Sequence, residues 1–254
     1  MQLYKKIILT VVACTILIPV LAQNKTIGSF THKIVVGLNI GATAPNYLSR
    51  EIRGIDAYWV QFAPQLGYDI SYKFADRWSV ESGIGLDIKG MGVRDRVKYM
   101  YTDVDMDGSS IKGYFTGRNQ TEVKITYVTI PLRLTFDLNP TWRLRAGGYA
   151  SYRSSSEFSG TVWDGYLRET ANMDIINSNN IEIKEKDIAT FDFGKEMRDF
   201  DFGISLGFDH QFNRRFGIYT DLTYGLTTVF PSSFKGIDMK MRNIYLQVGM
   251  SYTL

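Results

Sequence analysis

Residues 243–254, Asn-Ile-Tyr-Leu-Gln-Val-Gly-Met-Ser-Tyr-Thr-Leu, decide the fold class of this chain. From Ile244 onward, large apolar residues occupy every second position to the terminus, and Tyr245 and small or polar residues lie between them. Successive side chains of a β-strand point to opposite faces, so one face of this segment is apolar throughout. About ten such residues allow a tilted strand to cross a bilayer. The segment is therefore predicted to be a membrane-crossing strand.

The same alternation recurs in seven earlier segments. They cover approximately 34–41, 62–74, 78–88, 128–137, 142–152, 200–209 and 216–226. Three connections between them are tight, at 75–77, 139–141 and 213–215, and four are long, at about 43–57, 89–122, 153–199 and 227–241. Short and long connections alternate, as they do in a barrel with both termini in the periplasm. We predict an all-β, eight-stranded, antiparallel up-and-down transmembrane β-barrel. A hairpin hidden in the third long connection would make ten strands.

A soluble barrel of the lipocalin kind is the alternative, because alternation alone does not show which face meets lipid. Such a barrel would place the charged residues of these segments outside and the apolar ones inside. Pro64 and Pro131 fall within predicted strands, and a closed barrel has no edge strand to tolerate a missing N–H donor. We expect each proline at a bulge or at a position that needs no donor.

Aromatic residues support the membrane interpretation. Trp78, Trp142 and Phe216 begin the strands that follow the three tight turns, which is typical of an interfacial aromatic girdle. More aromatic residues gather towards the opposite strand ends: Tyr58, Trp59, Tyr127, Tyr152, Tyr224 and Tyr245.

The first 22 residues are typical of a secretory signal peptide. Lys5 and Lys6 precede an apolar run, and cleavage is expected after Ala22, which leaves a barrel domain over 23–254. A retained anchor is the competing interpretation, but the run is shorter than the roughly 20 residues of a spanning helix. A lipoprotein signal at Cys14, the chain's one cysteine, is another alternative.

Charged residues on the face opposite the apolar one are predicted to fill the lumen as a network. The predicted network comprises Asp69, Glu81, Asp87, Arg133, Asp137, Arg143, Arg145, Asp201 and Asp221. Eight strands leave an interior just wide enough for side chains, so we expect structural packing rather than a wide pore. A charge-lined path for small ions is the alternative.

Two further sites can be considered. Asp103, Asp105 and Asp107, followed by Gly108, resemble the front half of a calcium loop, although Tyr114 stands where a bidentate Glu would be required. We favour an Asp-Gly turn at the tip of a hairpin that extends the third and fourth strands, with the calcium site as the alternative. The chain has only two histidines, both predicted at periplasmic strand ends, which argues against a catalytic base at the outer rim. We expect that the protein is not an enzyme and that it binds no cofactor, with a calcium ion at these aspartates as the alternative.

Several segments resemble the outer-membrane β-barrel family of Bacteroidota, whose members are often described as porin-family or PorT-like. The resemblance rests on 127–134, 147–151, 201–207 and 243–254. It implies an outer-membrane location, and PorT-like members imply a role in type IX secretion. With 29 basic and 26 acidic residues, no nucleic-acid partner is expected. Our leading hypothesis is a non-enzymatic barrel whose long extracellular loops have a structural role or bind a protein or glycan; a narrow channel is the alternative.

Overall fold

The computed structural model describes residues 27–45, 50–106, 108–168, 180–183, 189–237 and 239–254. The expected signal peptide over 1–22 and the expected calcium ligand Asp107 lie outside these residues. Among the described residues, no helix combines the length and the apolar character required to span a membrane.

The described chain is almost entirely β-structure. Its strands are β1 (Phe30–Pro45), β2 (Ile52–Val60), β3 (Pro64–Lys73), β4 (Trp78–Met106), β5 (Ser109–Asp137), β6 (Trp142–Arg168), β7 (Asn180–Ile183), β8 (Ala189–Asp192), β9 (Phe200–Gln211), β10 (Phe216–Gly225) and β11 (Met241–Thr253). One short 3-10 helix, Gly194–Glu196, follows β8.

Eight of these strands form a closed antiparallel ring in the order β1-β3-β4-β5-β6-β9-β10-β11. The first and last strands close it, with pairs that run from Lys33 opposite Thr253 to Pro45 opposite Met241. The three tight turns occur where the alternation predicted them, between β3 and β4, between β5 and β6, and between β9 and β10. We call this end of the barrel the turn end and the opposite one the loop end.

The side chains of the ring show which face meets lipid. Large apolar residues on the outer surface are about half exposed, for example Val36 at 53%, Leu132 at 62% and Ile204 at 52%. Charged residues of the ring strands are buried inside the barrel, including Glu81 on β4 and Asp221 on β10. A soluble barrel requires the opposite arrangement, so the lipocalin alternative is wrong.

Within the described residues, the second and third long connections are mostly strand rather than loop, which corrects the predicted strand ends. β4 and β5 have 29 residues each and β6 has 27, far more than one membrane crossing needs. We call the β4, β5 and β6 segments beyond the barrel, together with β2 alongside β4, the extension. Gly108, with φ of 78°, lies in the turn between β4 and β5, in the left-handed region that favours glycine.

The extension closes on itself through β8. This short strand pairs with β6 over Ser159–Val162 and with β4 at Asp105, so it bridges the two outer strands of the extension. Inside lies a fully buried apolar core that includes Phe115, Val123 and Phe158. The favoured hairpin interpretation predicted this extension of β4 and β5, but not its core.

Pro64 lies at a strand start that needs no donor, whereas Pro131 interrupts the ladder between β4 and β5. Pro64 is the first residue of β3, opposite Leu38. Beside Pro131, the pairing of β4 with β5 passes from Ser82–Leu132 directly to Gly85–Thr129 without a shift in register. The Ser82 hydroxyl donates to the Pro131 carbonyl at 2.8 Å, so a side chain replaces part of the missing ladder.

Candidate functional site

The interior of the barrel carries the predicted charge network. Every predicted member except Asp137 is buried, and Asp137 is partly buried near the turn end. The alternation of the strands brings these residues together because all of them occupy inward positions of the ring. The structure thus places them in the lumen and separates them into three layers.

The layer nearest the turn end is a small cluster around Asp137. Arg143 Nε donates to Asp137 Oδ1 at 2.6 Å, from the neighbouring strand across the tight turn. Lys73 Nζ lies 4.0 Å from Asp137 Oδ2. These ion pairs close the mouth of the barrel on the turn side.

The middle layer is the densest charge cluster, which we call the lumen plug. It contains Lys33, Asp69, Glu81, Arg133, Arg145, Asp209 and Asp221. Three cations therefore face four carboxylates, and all seven side chains are at most 9% exposed. Desolvated charges persist only when they are paired, so the contacts of this cluster hold its members in fixed positions.

Arg145 is the centre of the lumen plug. Its guanidinium lies 2.5 Å from Asp221, 3.3 Å from Asp209 and 3.5 Å from Glu81. The same group lies 5.1 Å from the ring centroid of Tyr219, a cation–π distance.

Arg133 and Lys33 complete the lumen plug. Arg133 Nη1 donates to Glu81 Oε1 at 3.1 Å and lies 3.4 Å from Asp69. Lys33 Nζ donates to Asp209 Oδ2 at 2.9 Å. Lys33 lies outside the predicted first strand, which begins at Ile34, whereas β1 begins at Phe30. Its position two residues before the inward-facing Val35 is the signal in the sequence that places it in the lumen.

The third layer, towards the loop end, is a lysine enclosed by tyrosines. Lys89 is 2% exposed, and its Nζ lies between 5.0 and 5.7 Å from the ring centroids of Tyr127, Tyr149 and Tyr245. Its ion-pair partner Asp201 is 3.5 Å away. We call this group the tyrosine cage. Tyr127 and Tyr245, which were grouped with the aromatics of the strand ends, point into the lumen.

Asp201 connects the tyrosine cage to the strands and loops above it. Its carboxylate accepts hydrogen bonds from Asn243 at 2.9 Å, from Thr227 at 2.6 Å and from Tyr149 at 3.2 Å. Above this layer the apolar core of the extension begins with Met91 and Met241. A cavity of about 30 Å³ lies between the tyrosine cage and the lumen plug, with room for about two water molecules. Asp87 lines this cavity and accepts a hydrogen bond from Gln247 at 3.2 Å.

The predicted interfacial aromatics lie at the turn end. Trp78 packs on Phe136 with a centroid distance of 4.7 Å, and Phe216 lies 5.1 Å from Tyr252. Trp142 lies 4.4 Å from His210. Trp78, Trp142 and Phe216 are 40–46% exposed on the outer surface, where lipid headgroups would contact them.

A cleft of about 400 Å³ opens at the loop end. It lies between the tip of the β4–β5 hairpin, the segment after β8 and the loop before β11. Its lining includes Asp103, Asp105, Asp192, Glu196, Lys112, Lys235 and Phe234. Asp103 accepts a hydrogen bond from Ser110 and pairs with Lys112 at 3.6 Å. We call this opening the loop-end cleft.

The calcium expectation stays a prediction. Asp103 and Asp105 lie on an extended strand, opposite Lys112 and Ser110, and not in a tight ligand loop. Within the residues that the structure describes, no three His, Cys, Asp or Glu residues are grouped so that they could hold a metal ion. Asp107 is not among these residues.

Comparison with solved structures finds other membrane barrels at low identity. Ail of Yersinia pestis, in complex with the heparin analogue sucrose octasulfate, is 10% identical over 90% of this chain and 100% of that chain, with a TM-score of 0.39. OprG of Pseudomonas aeruginosa is 15% identical over 91% and 99%, with a TM-score of 0.35. The outer membrane protein W of E. coli is 14% identical over 91% and 100%, with a TM-score of 0.36. No curated protein matches the sequence.

A family model, unlike these structures, shows the family to which the chain belongs. The model described as the outer membrane protein beta-barrel domain matches residues 21–231, which is more than half of the chain. The closed ring, the apolar outer surface and the charged lumen agree with that description. This chain belongs to the family of outer-membrane proteins that share this β-barrel domain, and it is embedded in the outer membrane.

Proposed function

We propose that this protein is a sealed, non-enzymatic outer-membrane barrel that presents a rigid β-structured extension at the cell surface to bind a partner. The observation that carries the proposal is the double closure of the lumen. The lumen plug closes it near the middle of the barrel, and the tyrosine cage and the apolar core close it towards the loop end. The cavity left between them has room for only about two water molecules.

The extension supplies the surface for binding. Short turns of outer-membrane barrels face the periplasm and longer loops face the exterior, so the extension stands outside the cell. Its strands are hydrogen-bonded along their length, and its core is as buried as that of a soluble domain. Such a surface is preorganised, which lowers the entropic cost of binding.

The arrangement of the histidines supports the non-enzymatic part of the proposal. His32 Nδ1 lies 2.7 Å from the Tyr68 hydroxyl, and His210 packs against Trp142. Both lie at the turn end of the barrel, away from the loop-end cleft. Neither has a serine or carboxylate partner among the described residues, so no nucleophile–base pair of the common kind is formed there.

A role in type IX secretion, which the resemblance to PorT-like proteins of Bacteroidota implies, stays a prediction that the sealed lumen does not favour. A narrow channel is the other candidate role. It would use the lumen plug as its selectivity filter, because that layer contains the charges a permeating ion would meet.

Conductance in a planar bilayer tests the proposal. The refolded barrel should insert without producing current steps, while a porin added to the same membrane verifies that currents are recorded. Insertion is checked separately, by protection of the barrel from protease in vesicles. Steady current steps whose ion selectivity changes in Arg133→Glu would show a channel and overturn the proposal.

A further inference from the structure

The loop-end cleft has the size of a binding site. Its volume of about 400 Å³ lies within the range of about 300–1,000 Å³ that is typical of ligand pockets. Its walls come from three separate parts of the chain, and β8 fixes two of them by pairing with β4 and β6. The cleft is therefore part of the rigid extension rather than a gap between free loops.

The charges of the loop-end cleft are unbalanced. Four carboxylates line it against two lysines, and of these carboxylates only Asp103 has a cation partner among the described residues. Asp192 accepts a hydrogen bond from the Gly194 N–H at 2.9 Å, which leaves its charge without a counter-ion there. Asp105 and Glu196 are exposed to solvent. The cleft thus carries an excess of two negative charges.

The floor of the loop-end cleft is aromatic. Phe191 and Phe193 stack with centroids 5.2 Å apart, and Phe234 packs edge-on against Phe193 at 5.2 Å. Phe230 stacks on Phe234 at 4.7 Å from behind. This continuous aromatic layer is anchored in the core of the extension, and Phe234 remains partly exposed towards the cleft.

These features together select the chemistry of the ligand. The carboxylates are not grouped closely enough for one metal ion among the described residues, so a ligand that pairs with several of them must be larger. The arginine guanidinium pairs with carboxylates and stacks on aromatic rings, and it is less strongly hydrated than an ammonium. Charge complementarity also selects against acidic glycans and nucleic acids.

We propose that the loop-end cleft binds an arginine-bearing peptide segment of a protein partner, with guanidinium groups at Asp105, Asp192 and Glu196 and an apolar side chain against Phe234. This inference rests on the proposed function, since it names the partner chemistry of the surface that the extension presents.

Fluorescence anisotropy on the detergent-solubilised full-length barrel tests the inference. The probe is a labelled Arg-Phe-Arg-Leu-Arg peptide, and Glu-Phe-Glu-Leu-Glu and a neutral oligosaccharide are the comparison ligands. We expect the arginine peptide to bind more tightly than both comparison ligands. Its affinity should fall as the salt concentration rises, because salt screens the charges. The double variant Asp105→Asn/Glu196→Gln should weaken binding about tenfold, because two partly solvated charge pairs are lost.

The matched control removes two carboxylates elsewhere. Asp76→Asn/Glu157→Gln changes exposed acids in the first tight turn and on β6 outside the cleft, and should change affinity less than about twofold. Equal weakening in both double variants would show non-specific attraction and overturn the inference. Absence of binding by the arginine peptide, or preference for the acidic peptide or the oligosaccharide, would also overturn it. Since the bilayer experiment tests closure of the lumen independently, failure here leaves that result standing.

Discussion

Replacing Arg145 by methionine should lower the free energy of unfolding of the barrel by about 3 kcal/mol. The substitution changes the lumen plug from three cations and four carboxylates to two cations and four carboxylates. Removing one partner of a buried ion pair typically costs about 3–5 kcal/mol. The lower value applies because Glu81 and Asp221 keep Arg133 within 3.1 Å and 3.7 Å, and Asp209 keeps Lys33.

The assay is equilibrium unfolding in urea of the barrel in lipid vesicles, followed by tryptophan fluorescence. Arg214→Met is the control, because Arg214 is exposed in the third tight turn and its loss should cost less than about 0.5 kcal/mol. Arg145→Met/Asp221→Asn should be more stable than the single variant, because it neutralises the carboxylate that lies nearest to the lost guanidinium. A loss below about 1 kcal/mol for Arg145→Met, or no recovery in the double variant, would refute the account of the lumen plug as a tightly coupled cluster.

Three further substitutions test other parts of the structure. Lys89→Met should leave Asp201 buried without its cation and destabilise the loop end, which faster hydrogen exchange of β9 amides would reveal; unchanged exchange would contradict this. Burial raises the pKa of the Asp95 carboxyl in the extension, so the stability of the extension should fall as pH rises above the ordinary pKa of aspartate. Asp95→Asn should therefore slow amide hydrogen exchange in β4 at pH 7 but not at pH 4. Gly92→Val should displace the Trp59 indole, which occupies the space that a Cβ at residue 92 would need, and should speed tryptic cleavage within β2; an unchanged rate would contradict this contact.

The ring of eight strands could be predicted because its pattern has one physical cause. In a bilayer the outer face of each strand must be apolar, and the lumen of a narrow barrel is filled by polar side chains. Ile130, Leu132 and Leu134 obey this rule on β5, and Arg133 faces inwards between them. Once each membrane-crossing segment of about ten residues is assigned, the three short turns are the residues left between neighbouring segments.

The extension could not be predicted from the same rule, because the pattern inverts at the loop end. On β5, Val123 and Ile125 point inwards and are fully buried, whereas Glu122 and Lys124 point outwards and are exposed. The strand continues through this change in unbroken register with β4, while its register with β6 shifts between Thr126 and Tyr127. A search for apolar residues on the outer face therefore ends the strand near residue 128, although the β-structure continues.

The lumen plug could be predicted from the sequence and the loop-end cleft could not. Inward positions of a strand can be counted from the sequence, so most members of the lumen plug were identified. The loop-end cleft instead depends on how β8 and the loop before β11 return to the hairpin tip, and Asp105 and Phe234 meet across 129 residues of chain. No periodicity records a contact of this kind, which is set by tertiary packing alone.

The inversion on β4, β5 and β6 also explains why recognition should occur outside the lumen. Below the inversion the strands enclose charges, and above it the same strands enclose Val123, Phe158 and the rest of an apolar core. A permeating ion would have to break the lumen plug and then cross this core, where an unpaired charge is strongly unfavourable. The polar and aromatic groups left accessible at the loop end, with the loop-end cleft among them, are those on the surface of the extension. We therefore infer that a barrel whose lumen is filled in these two chemically different ways has its capacity for specific binding at that surface.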